Sequence, residues 1–261
     1  MKDAIRSFAR CRGFIFRKRK RDAVEKFLAM KAVRDIVAED GDPLEAAFPR
    51  HVQGHFLESK AQIFQDLHTG FLCGDKEIFC EFGATDGVSL SNTWYLEQVR
   101  SWTGLLAEPA REWREKLILN RPNSIIDHRC VFDETGKSVR FLAAKDGEYG
   151  TIHTFSKSDG HTSKRNEGDV YSVRTVSLND LLSEDKIRKL DFLSIDTKGP
   201  EYQILAKFEI NRYKLKLIVV EHGFTNTCRP IFEIMKNAEY VSVFQQLSMF
   251  DDWYVREDVL A

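Results

Sequence analysis

The stretch that decides the fold is residues 77–87, which read E-I-F-C-E-F-G-A-T-D-G. Residues 77–82 are an apolar run that predicts a strand. Gly83 and Gly87 follow this strand, and glycine lets the backbone approach a ligand closely. Ligands of open α/β sheets bind at the carboxyl ends of the strands, so the loop from Gly83 to Gly87 marks the expected ligand site.

The chain after this loop continues as short β-rich runs that alternate with helical segments. Such alternation predicts a parallel sheet covered by helices on both faces. Ser177 to Asp180 predicts a capped start for one short helix. We expect strands at residues 77–82, 103–108, 124–131, 138–143, 171–176, 191–195, 215–220, 241–245 and 253–256, and further helices at residues 92–99, 111–119, 200–208 and 230–236.

The first 75 residues show helical patterns only. Apolar residues recur at threes and fours between residues 3 and 38, a turn or linker is expected at residues 39–43, and another helix is expected at residues 60–67. We therefore predict a helical, basic extension at residues 1–75 and an α/β domain at residues 76–261.

Charge is unevenly distributed along the 261 residues. The chain has a net charge of −1, but residues 1–21 carry a net +8, so the rest is acidic. An acidic body argues against a nucleic-acid partner, because such surfaces must neutralise phosphates. A small or neutral molecule is the expected partner. The basic segment predicts either contact with an anionic membrane, or a helix with solvated charges, or an organellar targeting peptide.

Composition points to a folded protein in a reducing compartment. The chain is 43% hydrophobic and 30% charged, and its longest aliphatic run, residues 217–220, is far too short to cross a bilayer. The 5 cysteines include no C-x-x-C pair that would suggest zinc or redox chemistry. The N-terminus has no secretory apolar region, so a cytoplasmic protein, with membrane contact as an alternative, is expected.

Two carboxylates near the glycine loop narrow the class of ligand. The glycines are four apart rather than in a G-x-G-x-x-G pattern, which disfavours nicotinamide and flavin dinucleotides. Glu81, two residues before Gly83, suits a positively charged ligand. Glu108 lies 21 residues after Gly87, about where a nucleotide fold places its ribose-binding carboxylate.

Three motifs together resemble one enzyme family. They are E-F-G-A-T-D-G at residues 81–87, L-L-A-E-P at residues 105–109 and L-S-I-D-T-K-G-P-E at residues 193–201. They closely resemble the FkbM family of S-adenosylmethionine-dependent methyltransferases, and S-N-T-W-Y-L-E at residues 91–97 strengthens the match. The resemblance spans roughly residues 62–255.

The resemblance implies a Rossmann-like class I methyltransferase sheet of seven mostly parallel strands, with a final hairpin that places one antiparallel strand among them. It also implies S-adenosylmethionine as cofactor, with Glu108 bonding the ribose. The alternative is that the glycines form only a tight turn and that Glu108 is a surface charge. The positions carried over for cofactor binding are Glu81, Gly83, Ala84, Thr85, Asp86 and Gly87 around the methionine moiety, Glu108 at the ribose, Cys130 and Val131 at the adenine, and Asp196.

The third motif holds the candidate for the reaction itself. Asp196 ends a predicted strand, and it is the first candidate for a base that accepts the acceptor's proton; Glu201 and His222 are the next. The alternatives are a capping or cofactor-orienting role for Asp196 and a structural role for His222. The related family has K-I-D-V-E-G-A-E here, so Lys198 replaces an acid and is expected to reverse the charge beside the reaction centre.

The implied activity is O-methylation of a hydroxyl on a sugar, glycolipid or secondary metabolite, a small-molecule or glycan acceptor. Two other classes stay open: an enzyme of nucleotide-sugars or nicotinamide on a similar sheet, and a degenerate methyltransferase fold that acts as a binding or scaffold module, which Lys198 favours. The polar stretch 146–169 is either an acceptor pocket or solvated chain, and we assign no role to His153 or His161. No metal-ligand spacing is evident, and the sequence predicts no oligomeric state.

Overall fold

A computed structural model describes residue 26 and residues 28–33, 43–145 and 147–260. Its strands are β1 Ile78–Phe82, β2 Thr103–Ala107, β3 Ile125–Asp127, β4 Cys130–Phe132, β5 Ser138–Ala143, β6 Thr151–Ile152, β7 Asp169–Ser177, β8 Phe192–Ile195, β9 Leu217–Glu221, β10 Tyr240–Val243 and β11 Asp251–Arg256. Seven of them form one sheet in the order β10-β11-β9-β8-β1-β2-β3. All pairs from β3 to β9 are parallel, and β11 is antiparallel to both of its neighbours. The predicted seven-stranded, mostly parallel sheet is confirmed.

Helices cover both faces of this sheet. They are α1 Pro43–His55, α2 Gln65–Cys73, α3 Trp94–Arg100, α4 Arg114–Asn120, α5 Leu178–Glu184, α6 Glu201–Leu205, α7 Ile210–Tyr213, α8 Cys228–Asn237 and α9 Gln245–Ser248. Strand β9 shows why both faces need cover: Leu217 and Val219 lie in the core beneath α1 to α4, whereas Ile218 and Val220 lie in the core beneath α5 to α8. Alternate side chains of a strand point to opposite faces, so an all-apolar strand has two buried sides.

A second, four-stranded sheet in the order β4-β7-β5-β6 was not expected from the sequence. The single strand predicted at residues 124–131 is wrong, because β3 belongs to the large sheet and β4 to the small one. The side chain of Asp127 accepts a hydrogen bond from the backbone N–H of Arg129 at 2.7 Å and pairs with the Arg129 guanidinium. This contact turns the chain between the two strands.

The described residues before residue 75 pack on the large sheet. Phe48 of α1 and Leu67 of α2 share a core with Phe79 of β1. The helix predicted at residues 60–67 begins only at Gln65, because the buried Asp66 carboxylate accepts bonds from the residues just before it. The division of the chain at residue 75 stays a prediction.

The basic segment at residues 1–21 lies outside the described residues, and so do most of the residues in the helical pattern at 3–38. Its proposed contact with an anionic membrane therefore stays a prediction. Within the ranges that the structure describes, no helix has the length and apolar character needed to span a bilayer.

Candidate functional site

A cavity of about 390 Å³ opens at the carboxyl ends of the central strands. This volume falls in the range of about 300–1,000 Å³ that is usual for sites of drug-sized ligands. Apolar side chains of β4, β5 and β6 line one wall, and residues 147–161 add to it. The predicted site residues that line the cavity are Gly83, Ala84, Thr85, Glu108, Cys130, Val131 and Asp196.

The glycine loop brings two strand ends into close contact. Gly83 has φ +75°, and a Cβ atom built on it would lie 2.0 Å from the backbone oxygen of Asp196. Only glycine allows both this conformation and this approach of β1 to the end of β8. Gly83 therefore sets the distance between the glycine loop, which is predicted to bind the cofactor, and Asp196, which is predicted to take part in the reaction.

Glu108 is a buried carboxylate at the end of β2, only 4% exposed. Its Oε2 accepts a hydrogen bond from the backbone N–H of Thr85 at 2.9 Å, and its Oε1 accepts one from Ala110 at 2.8 Å. Burial raises its pKa to about 7. A carboxylate oxygen has two lone pairs, so Glu108 keeps acceptor capacity for two donors in the cavity that it lines.

Glu81 does not line the cavity, although the resemblance places it at the cofactor. Its carboxylate accepts bonds from the Ser91 hydroxyl at 2.9 Å, the Asn92 N–H at 2.8 Å and the Thr93 hydroxyl. Glu81 thus anchors the start of α3 to the middle of the sheet. Burial raises its pKa, and the three donors oppose that rise.

Asp86 and Gly87 also lie outside the cavity lining. Asp86 accepts bonds from the N–H groups of Val88 at 2.9 Å and Ser89 at 2.7 Å, so it folds its own loop. A Cβ atom on Gly87 would lie 2.7 Å from Leu117 of α4. Both residues stabilise the conformation of the glycine loop through contacts outside the cavity lining.

Lys198 joins two carboxylates at the other end of the cavity. Its Nζ lies 2.5 Å from Oδ1 of Asp196 and 2.5 Å from Oε2 of Glu221, and all three residues line the cavity. Burial of Asp196 acts to raise the pKa of its carboxyl group, but the ammonium group of Lys198 holds that pKa below its usual range. The expected charge reversal is therefore only local, because the ammonium group lies between two carboxyl groups, of which Glu221 has a pKa raised by burial and by the nearby Asp196.

Comparison with known proteins gives this cavity its context. A family model described as the Methyltransferase FkbM domain matches residues 81–242, more than half of the chain. The chain belongs to the FkbM methyltransferase family. The match includes the glycine loop, Glu108 and the Asp196 motif, so the resemblance seen in the sequence is confirmed, and membership supports methyltransferase activity and implies use of S-adenosylmethionine.

Several solved structures are similar to this FkbM chain at low sequence identity. A methyltransferase from Geobacter sulfurreducens is 10% identical, with 84% of this chain and 91% of that chain covered and a TM-score of 0.43. The precorrin-6y C5,15-methyltransferase of Geobacter metallireducens is 11% identical, with 69% and 72% covered and a TM-score of 0.38. The Methanococcus jannaschii fibrillarin pre-rRNA processing protein is 15% identical, with 75% and 74% covered and a TM-score of 0.39. Comparison with curated protein sequences found no match.

Glu201 and His222, the other two base candidates, do not line the cavity. The Glu201 carboxylate accepts bonds from the N–H groups of Thr197 at 3.1 Å and Gly199 at 2.9 Å, which fixes the turn that leads into α6. Nδ1 of His222 accepts a bond from the N–H of Phe224 at 3.0 Å. These hydrogen bonds hold local turns, and a role as base for either residue of this FkbM chain stays a prediction.

A segment that sequence reasoning left unassigned forms part of the cavity wall. Tyr149 and His161 line the cavity from residues 147–168, and their rings lie 4.7 Å apart. The segment is held by Arg165, which is 4% exposed and donates to the Tyr149 carbonyl at 2.8 Å and to both oxygens of Asp159 at 2.7 Å. The composition of this segment left an acceptor pocket and a solvated chain both open. The burial of Arg165 is what indicates an ordered wall, and the sequence does not show that burial.

The residues of the cavity fit S-adenosylmethionine. Glu108 offers two acceptor positions for the two ribose hydroxyls, and Cys130 and Val131 offer an apolar wall for an adenine ring. The carboxylate of Asp196, whose pKa lies below its usual range, suits a sulfonium cation. Across the described ranges, no group of three or more His, Cys, Asp or Glu side chains is arranged to hold a metal ion.

Proposed function

We propose that this FkbM protein transfers the methyl group of S-adenosylmethionine to a hydroxyl of a sugar, a glycolipid or a secondary metabolite. The observation that carries the proposal is the buried Glu108, which is held by two backbone N–H groups and still faces the cavity. A carboxylate fixed in this way accepts hydrogen bonds from a vicinal diol without reorganising. The cofactor, when bound, supplies a methyl group activated by the positive sulfur.

The rest of the cofactor contacts follow from the cavity lining. Gly83, Ala84 and Thr85 line the cavity where the methionine moiety would bind, and Cys130 and Val131 line it where the adenine would bind. Much of the catalysis of an in-line displacement is positioning, so these fixed contacts are the main contribution of the protein.

The acceptor proton has two candidate destinations on the cavity. Asp196 is ionised at neutral pH, and its side chain is 39% exposed, so a hydroxyl can reach it. His161 is the second candidate, because its ring lines the cavity and its pKa is lowered by burial and by Lys198, which leaves it neutral and able to accept a proton. We favour Asp196, whose strand ends at the floor beside Gly83.

The mouth of the cavity suits a hydroxylated ring. Phe224 lines the mouth and is 77% exposed, with Tyr149 and His161 on the wall formed by residues 147–161. Aromatic side chains pack against the apolar face of a sugar-like ring. The hydroxyls at the edge of that ring then remain available for hydrogen bonds to nearby polar groups. This arrangement supports the acceptor class that we propose.

Calorimetry with S-adenosylhomocysteine, the demethylated product, tests the cofactor assignment. Glu108→Ala should weaken binding by about 5- to 150-fold, since loss of charge-assisted hydrogen bonds costs about 1–3 kcal/mol. Glu115→Ala is the matched control, because Glu115 is an exposed carboxylate on α4 that does not line the cavity. Equal affinity of the folded Glu108 variant and the control would contradict the proposal.

Transfer is tested by the release of S-adenosylhomocysteine from S-adenosylmethionine in the presence of a panel of hydroxylated saccharides and glycolipids. Acceptor-dependent release is the expected result. Tight binding of the product with no transfer to any acceptor would favour the binding-module alternative. Preferential binding of a nicotinamide dinucleotide would point to the other enzyme class.

A further inference from the structure

The loop after β9 carries an exposed phenylalanine at the mouth of the cavity. Phe224 lines the cavity and is 77% exposed. Single apolar side chains lie on the surface of most proteins, so exposure alone assigns no role to this residue. What distinguishes Phe224 is its place on the cavity together with the set of contacts that hold it there.

His222 makes two of these contacts. Its Nδ1 accepts a hydrogen bond from the backbone N–H of Phe224 at 3.0 Å, and the two rings meet edge to face with their centroids 5.3 Å apart. A side-chain acceptor that binds the N–H two residues later closes a tight turn, as asparagine and aspartate commonly do. The side chain of His222 is only 10% exposed, so packing fixes the group that accepts this bond.

The backbone of the same loop is anchored beside the cavity. The N–H groups of His222 and Gly223 both donate to the carbonyl of Phe250 at 3.0 Å, and Phe250 also lines the cavity. On the other side of the turn, the N–H of Thr225 donates to the carbonyl of His222 at 2.9 Å. The turn that carries Phe224 is therefore held on both sides, which lowers the cost of ordering it when a ligand binds.

We infer that Phe224 is the residue that selects the acceptor, and that His222 is a positioning residue that holds it. The acceptor that fits is a saturated ring, such as a pyranoside, with one face of C–H groups. Such a face packs on an aromatic ring, whereas an open-chain polyol with similar hydroxyls has no flat apolar face to bury.

The inference rests on the proposed function in treating this ligand as the methyl acceptor. It narrows the acceptor from hydroxylated compounds in general to ring compounds with an apolar face. It also gives His222 a task other than that of a base, and this task needs no contact between His222 and the substrate.

Binding of free saccharides tests the role of Phe224 without any transfer. The probes are methyl β-D-galactopyranoside, which has one face of C–H groups, and galactitol, its open-chain counterpart. Saturation-transfer NMR on the full chain should show a stronger signal for the ring C–H protons of the pyranoside than for galactitol. Phe224→Ala should remove this excess and Phe224→Tyr should retain it. Phe232→Ala is the matched control, because Phe232 is exposed on α8 and does not line the cavity.

Two substitutions of His222 separate positioning from proton transfer. His222→Ala removes the acceptor of the Phe224 N–H and should raise the Kd of the pyranoside about 10-fold, since apolar contact with a displaced ring is lost. His222→Asn supplies an oxygen to the same N–H and should recover most of the affinity. In transfer assays the loss should fall on KM with kcat nearly unchanged, because the contact is the same in the ground and transition states. Loss of a base would instead lower kcat by about 10²–10⁴-fold in both variants.

The outcomes separate this inference from the proposed function. Equal signals from the pyranoside and galactitol, or a Phe224→Ala variant that binds the pyranoside as the parent does, would overturn the inference even in a chain that transfers methyl groups. Equal losses of kcat in His222→Ala and His222→Asn would overturn the positioning role of His222. Pyranoside binding that needs Phe224, in a chain that fails to bind S-adenosylhomocysteine, would sink the proposed function and leave a saccharide site at the mouth of the cavity.

Discussion

The two ends of the cavity are built in different ways. The proposed cofactor end comes from residues 83–110, where backbone N–H groups of Thr85 and Ala110 hold the carboxylate of Glu108. The transfer end comes from distant parts of the chain, and its groups are held by side-chain charges such as Lys198. Where backbone groups hold a carboxylate, substitution of the surrounding side chains should leave its position unchanged. Where ion pairs hold the groups, substitution of any one partner should displace the others.

The largest effect that we expect is on the rate at the transfer end. Asp196→Asn should lower turnover by about 10²–10⁴-fold, the usual contribution of a general base, and should change the affinity for S-adenosylhomocysteine much less. Initial rates of product release and calorimetry on the same sample measure both. Asp133→Asn, whose side chain is outside the cavity lining, should match the parent. Equal turnover of both variants would return Asp196 to a capping role.

The wall of the transfer end should open when its buried ion pair is broken. Arg165→Met leaves the Asp159 carboxylate without its partner, and breaking a buried pair costs about 3–5 kcal/mol. We expect proteolysis within residues 147–168 and little change at the glycine loop. Lys157→Met, an exposed position in the same segment, is the control. A variant as resistant to protease as the control would show that the segment needs no anchor.

The junction between the two ends can be strained with one methyl group. Gly83→Ala should cost about 2–4 kcal/mol of unfolding free energy, because it combines a left-handed backbone with a clash against the Asp196 carbonyl. Gly136→Ala separates the two causes, since Gly136 has φ +86° and nothing within 4 Å of the added atom. Denaturation midpoints measure the difference. A similar loss of unfolding free energy in both variants would mean that β1 and β8 move apart at little cost and that the clash with the Asp196 carbonyl is relieved.

The smallest expected effect concerns a carboxyl buried beside the transfer end. Asp251 pairs in register with Glu221, and burial raises its pKa to about 7. The folded protein therefore binds a proton that the unfolded chain releases near pH 4, so its stability falls as the pH rises from about 4 to about 7. Asp251→Asn should remove about 2 kcal/mol of that fall between about pH 5 and pH 8. Chemical denaturation at both values checks this; parallel pH profiles for variant and parent would refute it.

Local patterns in the sequence predict the parts of the molecule that local contacts build. The alternation of strands and helices gives the large sheet, and the hydroxyl of Ser177 accepts a bond from the Asp180 N–H at 3.1 Å, as its capping pattern predicts. The glycine loop and Glu108 are predicted for the same reason, because their spacing along the chain sets their geometry.

Contacts between distant residues set the rest. The sequence shows that Lys198 replaces an acid but does not show that Glu221, on the next strand, supplies a second carboxylate to it. The split of residues 124–131 between two sheets depends on where β7 lies, more than 30 residues later. Arg165 is one arginine among many until its burial against Tyr149 and Asp159 is known.

Trp113 touches the wall of the cavity from outside. Its indole N–H donates to the Gly147 carbonyl at 3.2 Å, and Gly147 lines the cavity. Trp102 and Trp253 are buried in the core, away from solvent. Trp94 is half-buried and does not line the cavity. Because indole emission shifts with its surroundings, a compound that moves this wall should change the fluorescence of Trp113 against the emission of the other three tryptophans, and unlabelled acceptors can be screened by intrinsic fluorescence.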